Sequence, residues 1–423
     1  MLEKKGIPGA LFGVAAFKES AEGMAHRENI PLRITTIPYN YFGDTRERIY
    51  AEIKDSAPAM LDALIGALND EEKKTGRHQV PEPSRIAFEG DLEDVQAFFI
   101  KNQWCDGLPV IPPTESRVAA MLKGTSRAPD EVVGLLCPEF WQVTVEKVAV
   151  NAVMAGCRPE YLPVVLAAVA GTIDKDPQSW IVSATSAVQM YLVNGPIRNE
   201  IGMNKGLGAQ GPGNQANATI GRAVMLCFIN LGGWWPGRNS LGTQGHPAQY
   251  TYCVPENEED SPWEPFHEEK GYHADQSVLS MFVEYGGMCG GCEGMRETMP
   301  KSLSNIQRPF GATVLLDPSL AQIMNREGFT KQELQRWLWE NTTETFEEWW
   351  QDPFLPNFIE TYIGQPGYWP EKYKRGNLPP DAIVHKFPSP ESINIIVIGG
   401  GAKVLYQTGG NKHRFSISID EWR

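Results

Sequence analysis

Ser392-Ile393-Asn394-Ile395-Ile396-Val397-Ile398 runs directly into Gly399-Gly400-Gly401, and this stretch decides the fold class. A near-continuous β-branched run is what a strand covered on both faces shows, whereas a strand with one wet face alternates. The change from strand to glycine turn suits a parallel sheet edge near a ligand, because glycine lets backbone approach closely. Met190 to Val193 and Phe310 to Leu316 read as further buried strands. The expectation is an α/β protein whose sheet is mainly parallel or mixed.

The first seventy residues repeat that theme in miniature. Gly9 to Phe17 is apolar, Lys18 to Asn29 has helical spacing and Pro31 to Ile37 is rich in β-branched residues. Asp44 to Leu68 carries Ile49, Ile53, Met60, Leu61, Leu64 and Leu68 as a helical stripe. We therefore expect a βαβα fragment over 1–70, a charged, proline-bearing linker over 71–84 and the main α/β domain over 85–423. In that domain Asp91 should cap a helix reaching Asn102, Thr144 one from Val145 to Ala155 that stops at Gly156, and Pro159 opens another. Trp104 to Thr114 holds too many prolines for a helix and reads as an ordered loop, crossing the surface or lining a cleft. Thr330 and Glu333 form a capping box in an aromatic helical segment, 330–375, whose Leu334, Trp337, Leu338, Phe346, Trp349 and Trp350 suit core packing, a lid or an oligomer contact.

Composition narrows the function classes. The 423 residues are 42% hydrophobic and 21% charged, and no apolar run approaches the roughly 20 residues of a membrane helix. A net charge of −14 leaves no basic footprint for nucleic acid or an anionic membrane, so small molecules or protein chains, further copies of this one included, are the expected partners. The start of the chain lacks the apolar core of a signal peptide, and seven scattered cysteines do not make a secreted disulfide scaffold; a cytoplasmic location is expected.

Chemistry concentrates in three places. Cys289 and Cys292 sit three positions apart in Gly286-Gly287-Met288-Cys289-Gly290-Gly291-Cys292-Glu293-Gly294, a spacing that serves a reversible disulfide, a shared metal or a plain turn. Gly206-Leu207-Gly208-Ala209-Gln210-Gly211 fits G-x-G-x-x-G, but no strand leads into it and no acid stands about 20 residues on to hold a ribose. A small anion suits this region better, with Arg198 and Arg222 as bidentate donors, Asn194 and Asn217 as adaptable amides, and Gly208 and Gly211 admitting the ligand to the backbone. The alternative is that the amides and glycines make turns while the arginines bridge acids. His246 is the candidate for proton transfer. From Glu256 to Asp275 the chain is acidic, and Glu256, Glu258 and His267 are candidate ligands of a divalent ion, although a solvated acidic loop explains the run equally.

Several stretches resemble the domain of the UGSC (Sec-Gly-Ser-Cys) selenoprotein family, over roughly residues 85–423: Asp106-Gly107-Leu108-Pro109, Asn151 to Tyr161, Asn194-Gly195-Pro196-Ile197-Arg198, Asn217 to Ala223 and Glu256 to Trp263. Met1-Leu2-Glu3-Lys4-Lys5-Gly6-Ile7-Pro8 is similar to the stretch after the reactive selenocysteine or cysteine of that family and, more remotely, of glycine reductase component B. The resemblance implies a reactive motif upstream of Met1 or on a small thiol- or selenol-bearing subunit, and it carries no catalytic assignment. Cys105 stands where relatives are expected to have threonine or a similar residue, so it is a poor candidate for a functional role.

The first expectation is thus a thiol- or selenol-linked oxidoreductase, in which Cys289 or Cys292 attacks or resolves a mixed disulfide and loop 194–222 holds a small anionic substrate. The second is a metal-dependent lyase or hydrolase built on segment 246–275. The third is a scaffolding subunit of a selenoprotein complex. The cofactor these imply is redox thiols alone or a divalent metal.

Overall fold

The computed structural model of the chain describes residues 9–15, 32–37, 45–67, 84–175, 187–236, 244–284, 289–291, 295–306, 310–351, 359–401, 405–410 and 412–423, with a few single residues between. In the amino-terminal fragment β1 (Ala10–Val14) and β2 (Arg33–Ile37) pair in parallel. Helix α1 (Arg46–Ile65), capped by Thr45, packs on β2, and Arg33 grips its end through the carbonyls of Gly66 and Ala67. Most of the helix expected over Lys18 to Asn29, and all but the last residue of the linker expected over 71–84, lie outside the described residues.

The main domain opens with α2 (Leu92–Lys101), α3 (Glu115–Met121), the hairpin β3 (Val132–Leu136) and β4 (Trp141–Thr144), α4 (Val145–Ala155) and α5 (Leu162–Lys175). Its helix ends follow local chemistry. Asp91 accepts the amide of Asp94, Thr144 that of Lys147, and Gly156 closes α4 at φ +88°, where a side chain would be strained. Next come β5 (Val188–Asn194), α6 (Ile197–Glu200), α7 (Gln215–Gly232), β6 (Cys253–Pro255), α8 (Phe266–Glu269), β7 (Val278–Glu284), β8 (Cys289–Gly291) and α9 (Met295–Ser304). The chain ends through β9 (Ala312–Leu316), α10 (Pro318–Arg326), α11 (Lys331–Asn341), β10 (Thr343–Thr345), α12 (Phe346–Gln351), β11 (Ile383–His385), β12 (Ile393–Val397), β13 (Tyr406–Gly409) and β14 (Lys412–Ser418).

The α/β class holds, but there is more than one sheet. Four strands order as β14-β7-β5-β6 and another four as β12-β9-β13-β8, each with one parallel pair, β5 with β6 and β9 with β12. Alternation along the strands shows how they stack. Met190, Leu192 and Phe282 of the first sheet form one buried cluster with Leu315 and Ile396 of the second, so the sheets pack face to face. Tyr191, Val193, Leu279 and Met281 point the other way, into α4, α5 and α7. Val314, Leu316, Ile393 and Ile395 turn to Leu320, Met324, Leu334 and Leu338 of α10 and α11. The result is four layers, helix, sheet, sheet, helix. The apolar strands read as doubly covered because a second sheet, not a second helical layer, covers the inner face.

The two halves also exchange an edge. β8 follows β7 in sequence but joins the second sheet beside β13, and β14 follows β13 but joins the first beside β7. The aromatic segment is core: Trp349 and Trp369 are fully buried with both indole N–H groups directed at the Lys386 carbonyl. Among the described residues no helix is long and apolar enough to cross a membrane.

Candidate functional site

Loop 194–222 is held by its own polar groups. Asn217 is buried on α7; its Nδ2 donates to the carbonyls of Asn204 and Ala209, and its Oδ1 accepts the Asn204 amide. Asn214 caps α7 by accepting the Asn217 amide. Gly208 supplies φ +73° in the turn closed by the Gly211 amide on the Gly208 carbonyl. Beyond it, Gly400 meets Leu207, since a Cβ there would stand 2.7 Å from Leu207 Cγ. The two glycine-rich stretches of the sequence therefore touch.

The arginines do not face an open anion site. Arg198 is 3% exposed; its Nη2 reaches Glu258 at 2.5 Å, its Nη1 the Glu256 carbonyl at 2.7 Å, and both nitrogens reach Glu259. Arg222 forks onto Asp106 and the Pro109 carbonyl. All three guanidinium nitrogens of Arg198, and Nε and Nη2 of Arg222, are held by the chain's own acids and carbonyls, so these contacts lend no support to the anion pocket expected from the two side chains.

Asn194, at the end of β5, binds Glu256 at 2.6 Å and Glu258 at 2.9 Å through Nδ2. Glu256 is fully buried, and burial is the main cause that raises its carboxyl above the ordinary range, with the Lys331 charge and the Phe266 amide opposing. Glu259 is pulled down to about 2: the burial that opposes this is outweighed by hydrogen bonds from Asn199, Lys205 and Arg198. His267 is also fully buried, and burial lowers its pKa. Among the described residues no three His, Cys, Asp or Glu side chains are grouped to hold a metal ion. Glu256 and Glu258 instead serve Asn194, Arg198 and the chain turns around them.

His246 lies apart from this network, at the seam of the two sheets. It begins the turn leading towards β6, the edge of the first sheet, and its Nδ1 accepts the Ala248 amide at 3.1 Å. Burial lowers its pKa, so the ring is neutral near pH 7. It lines a cleft of about 350 Å³ with Gln210, Ala248, Thr251, Tyr252 and Gln407. Gln407 belongs to β13 and pairs with Gly290 of β8, while its neighbour Thr408 pairs with Cys289. The register thus sets the strand that carries Cys289 beside a wall of the His246 cleft, and Gln210 brings the glycine loop to the same place. The Cys289 side chain, and Cys292 altogether, lie outside the described residues.

Three other thiols are poor nucleophiles. Burial pushes Cys157 up to about 12 and raises Cys227 and Cys253 too. Cys105 is buried in the helical core. A larger cavity, about 1260 Å³, lies where the proline-rich loop borders a cleft with Phe88, Phe98, Trp104, Arg117 and Asn230. It contains none of the expected site residues. Gln210 and Gln407 were not legible as site residues, because an uncharged carboxamide carries no signal of its own and only the folded loop and the β13 register bring the two together.

No family model matches the chain, and no curated protein matches it.

Proposed function

We propose that the chain is a thiol-linked oxidoreductase, with Cys289 and Cys292 as its redox pair and the His246 cleft as its substrate site. The observation that supports this reading is the β13–β8 register, which joins Gln407 in the cleft wall to Gly290 next to Cys289. One thiolate of the pair attacks a substrate disulfide, forming a mixed disulfide and expelling one thiolate. The second thiolate displaces the remaining half and closes the Cys289–Cys292 disulfide. The chain loses two electrons, the substrate disulfide gains them, and each departing thiolate takes a proton from solvent. A dithiol or selenol-bearing protein is the class of donor that would restore the pair, in keeping with the resemblance to the UGSC family.

The test is intact mass of anaerobically purified protein, alkylated before and after reduction, alongside reduction of 2-hydroxyethyl disulfide. Two alkylations gained only after reduction and mapped to Cys289 and Cys292, with turnover lost in Cys289→Ser, support the reading. Full turnover in the double Cys289→Ser, Cys292→Ser protein overturns it.

A further inference from the structure

The His246 ring has a defined proton. A backbone amide can only donate, so the Nδ1 that receives Ala248 N–H at 3.1 Å carries no hydrogen. In the neutral ring the proton is on Nε2, and Nε2 has no hydrogen-bond partner among the described residues. Adding a second proton at Nδ1 would set two donors against each other. The Gln249 side chain closes the turn by accepting the His246 backbone amide at 3.0 Å, which fixes the ring's approach. His246 is therefore built as a hydrogen-bond donor, and a base role for it finds no free nitrogen.

The rest of the cleft matches that donor. Among the described residues its wall contains no lysine, arginine, aspartate or glutamate. The carboxamides of Gln210 and Gln407 have no hydrogen-bond partner among the described residues, and each offers both a donor and an acceptor. Thr251 spends its hydroxyl on the Ala218 carbonyl at 2.8 Å and leaves the polar work to the glutamines. An anion brought here finds no cation among the described lining residues to offset the water it gives up. A neutral amide can accept from His246 and exchange hydrogen bonds with the glutamines. The volume, about 350 Å³, suits a small ligand or one peptide unit.

We infer that the His246 cleft takes an uncharged, amide-bearing ligand, whose carbonyl oxygen accepts a hydrogen bond from His246 Nε2. The ligand class replaces the small anion expected from the sequence. The inference rests on the cleft being the substrate site, and it is tested by binding alone, so its failure is read separately from failure of the thiol chemistry.

The experiment is a titration of the full chain, labelled with ¹⁵N-histidine, with N-acetylglycinamide, sodium acetate and inorganic phosphate, each at millimolar concentration. His246→Gln identifies the His246 signals by their disappearance. The expected result is an Nε2–H tautomer, perturbed by the amide and not by either anion, with Gln407→Leu weakening amide binding by about three- to tenfold for one lost hydrogen bond. An Nδ1–H tautomer, a response to acetate or phosphate at least as large as to the amide, or no response to the amide overturns the inference. If His246→Gln does not fold, Gln407→Leu on β13 still reads the same cleft.

Discussion

Asp106 and Arg222 form a bidentate pair, with Nε on Oδ2 at 2.8 Å and Nη2 on Oδ1 at 2.9 Å. The Asp106 side chain is 6% exposed and that of Arg222 15%, and Arg222 also holds the Pro109 carbonyl at 2.9 Å. The pair pins the proline-rich loop to α7. Asp106→Asn leaves a buried guanidinium without its charge partner, and the expected loss is about 3–5 kcal/mol of unfolding free energy. Urea denaturation measures it; a loss below about 1 kcal/mol would class the contact with exposed pairs.

Glu256 gives a stability signature in pH. Its folded pKa lies above the ordinary 4.5, so the unfolded chain releases this proton first as pH rises. The stability from the held proton is complete below 4.5 and is lost as pH climbs through the folded value. Glu256→Gln keeps the oxygen that accepts from Asn194 and Phe266 but cannot titrate. Urea midpoints of this variant relative to the parent should rise from pH 4.5 upward, and a difference independent of pH would contradict the assignment.

Gly195 holds φ +81° between β5 and α6, and a Cβ there would collide with the Gln276 carbonyl oxygen. Its amide also donates to Glu258 at 2.9 Å. Gly195→Ala should cost at least about 2 kcal/mol, from left-handed backbone and clash together. Thermal unfolding of the variant at parental temperature would show that the loop relaxes freely.

Cys157, Cys227 and Cys253 should resist alkylation in the folded chain. The Cys157 thiol is pushed up to about 12 by burial and donates to the Thr219 carbonyl, leaving almost no thiolate near neutral pH. Peptide mapping after iodoacetamide treatment, native and in urea, reads this. Fast native labelling of any of the three would remove the argument that singles out Cys289 and Cys292.

Local signals were legible where local physics decides. Asp91, Thr144 and the Thr330–Glu333 box act on amides three residues away, and the helices they begin are the observed ones. The buried strands at Met190 to Val193, Ala312 to Leu316 and Ile393 to Val397 were visible in their β-branched runs. Arg198 and Arg222 were misleading because a guanidinium looks the same in sequence whether it awaits a ligand or an acid 116 positions away. Gln407 was silent because its meaning comes from its partner strand.

The sequence by itself determined where α2, α4 and α11 begin and that the strands at Met190 to Val193, Ala312 to Leu316 and Ile393 to Val397 are buried on both sides, since these depend on neighbours within a few residues. Only the tertiary structure decided that two sheets face each other and exchange edge strands, that the arginines are occupied, and that β8 lies beside the His246 cleft. Those outcomes rest on register and packing between distant segments, where one residue of slip turns every side chain to the opposite face.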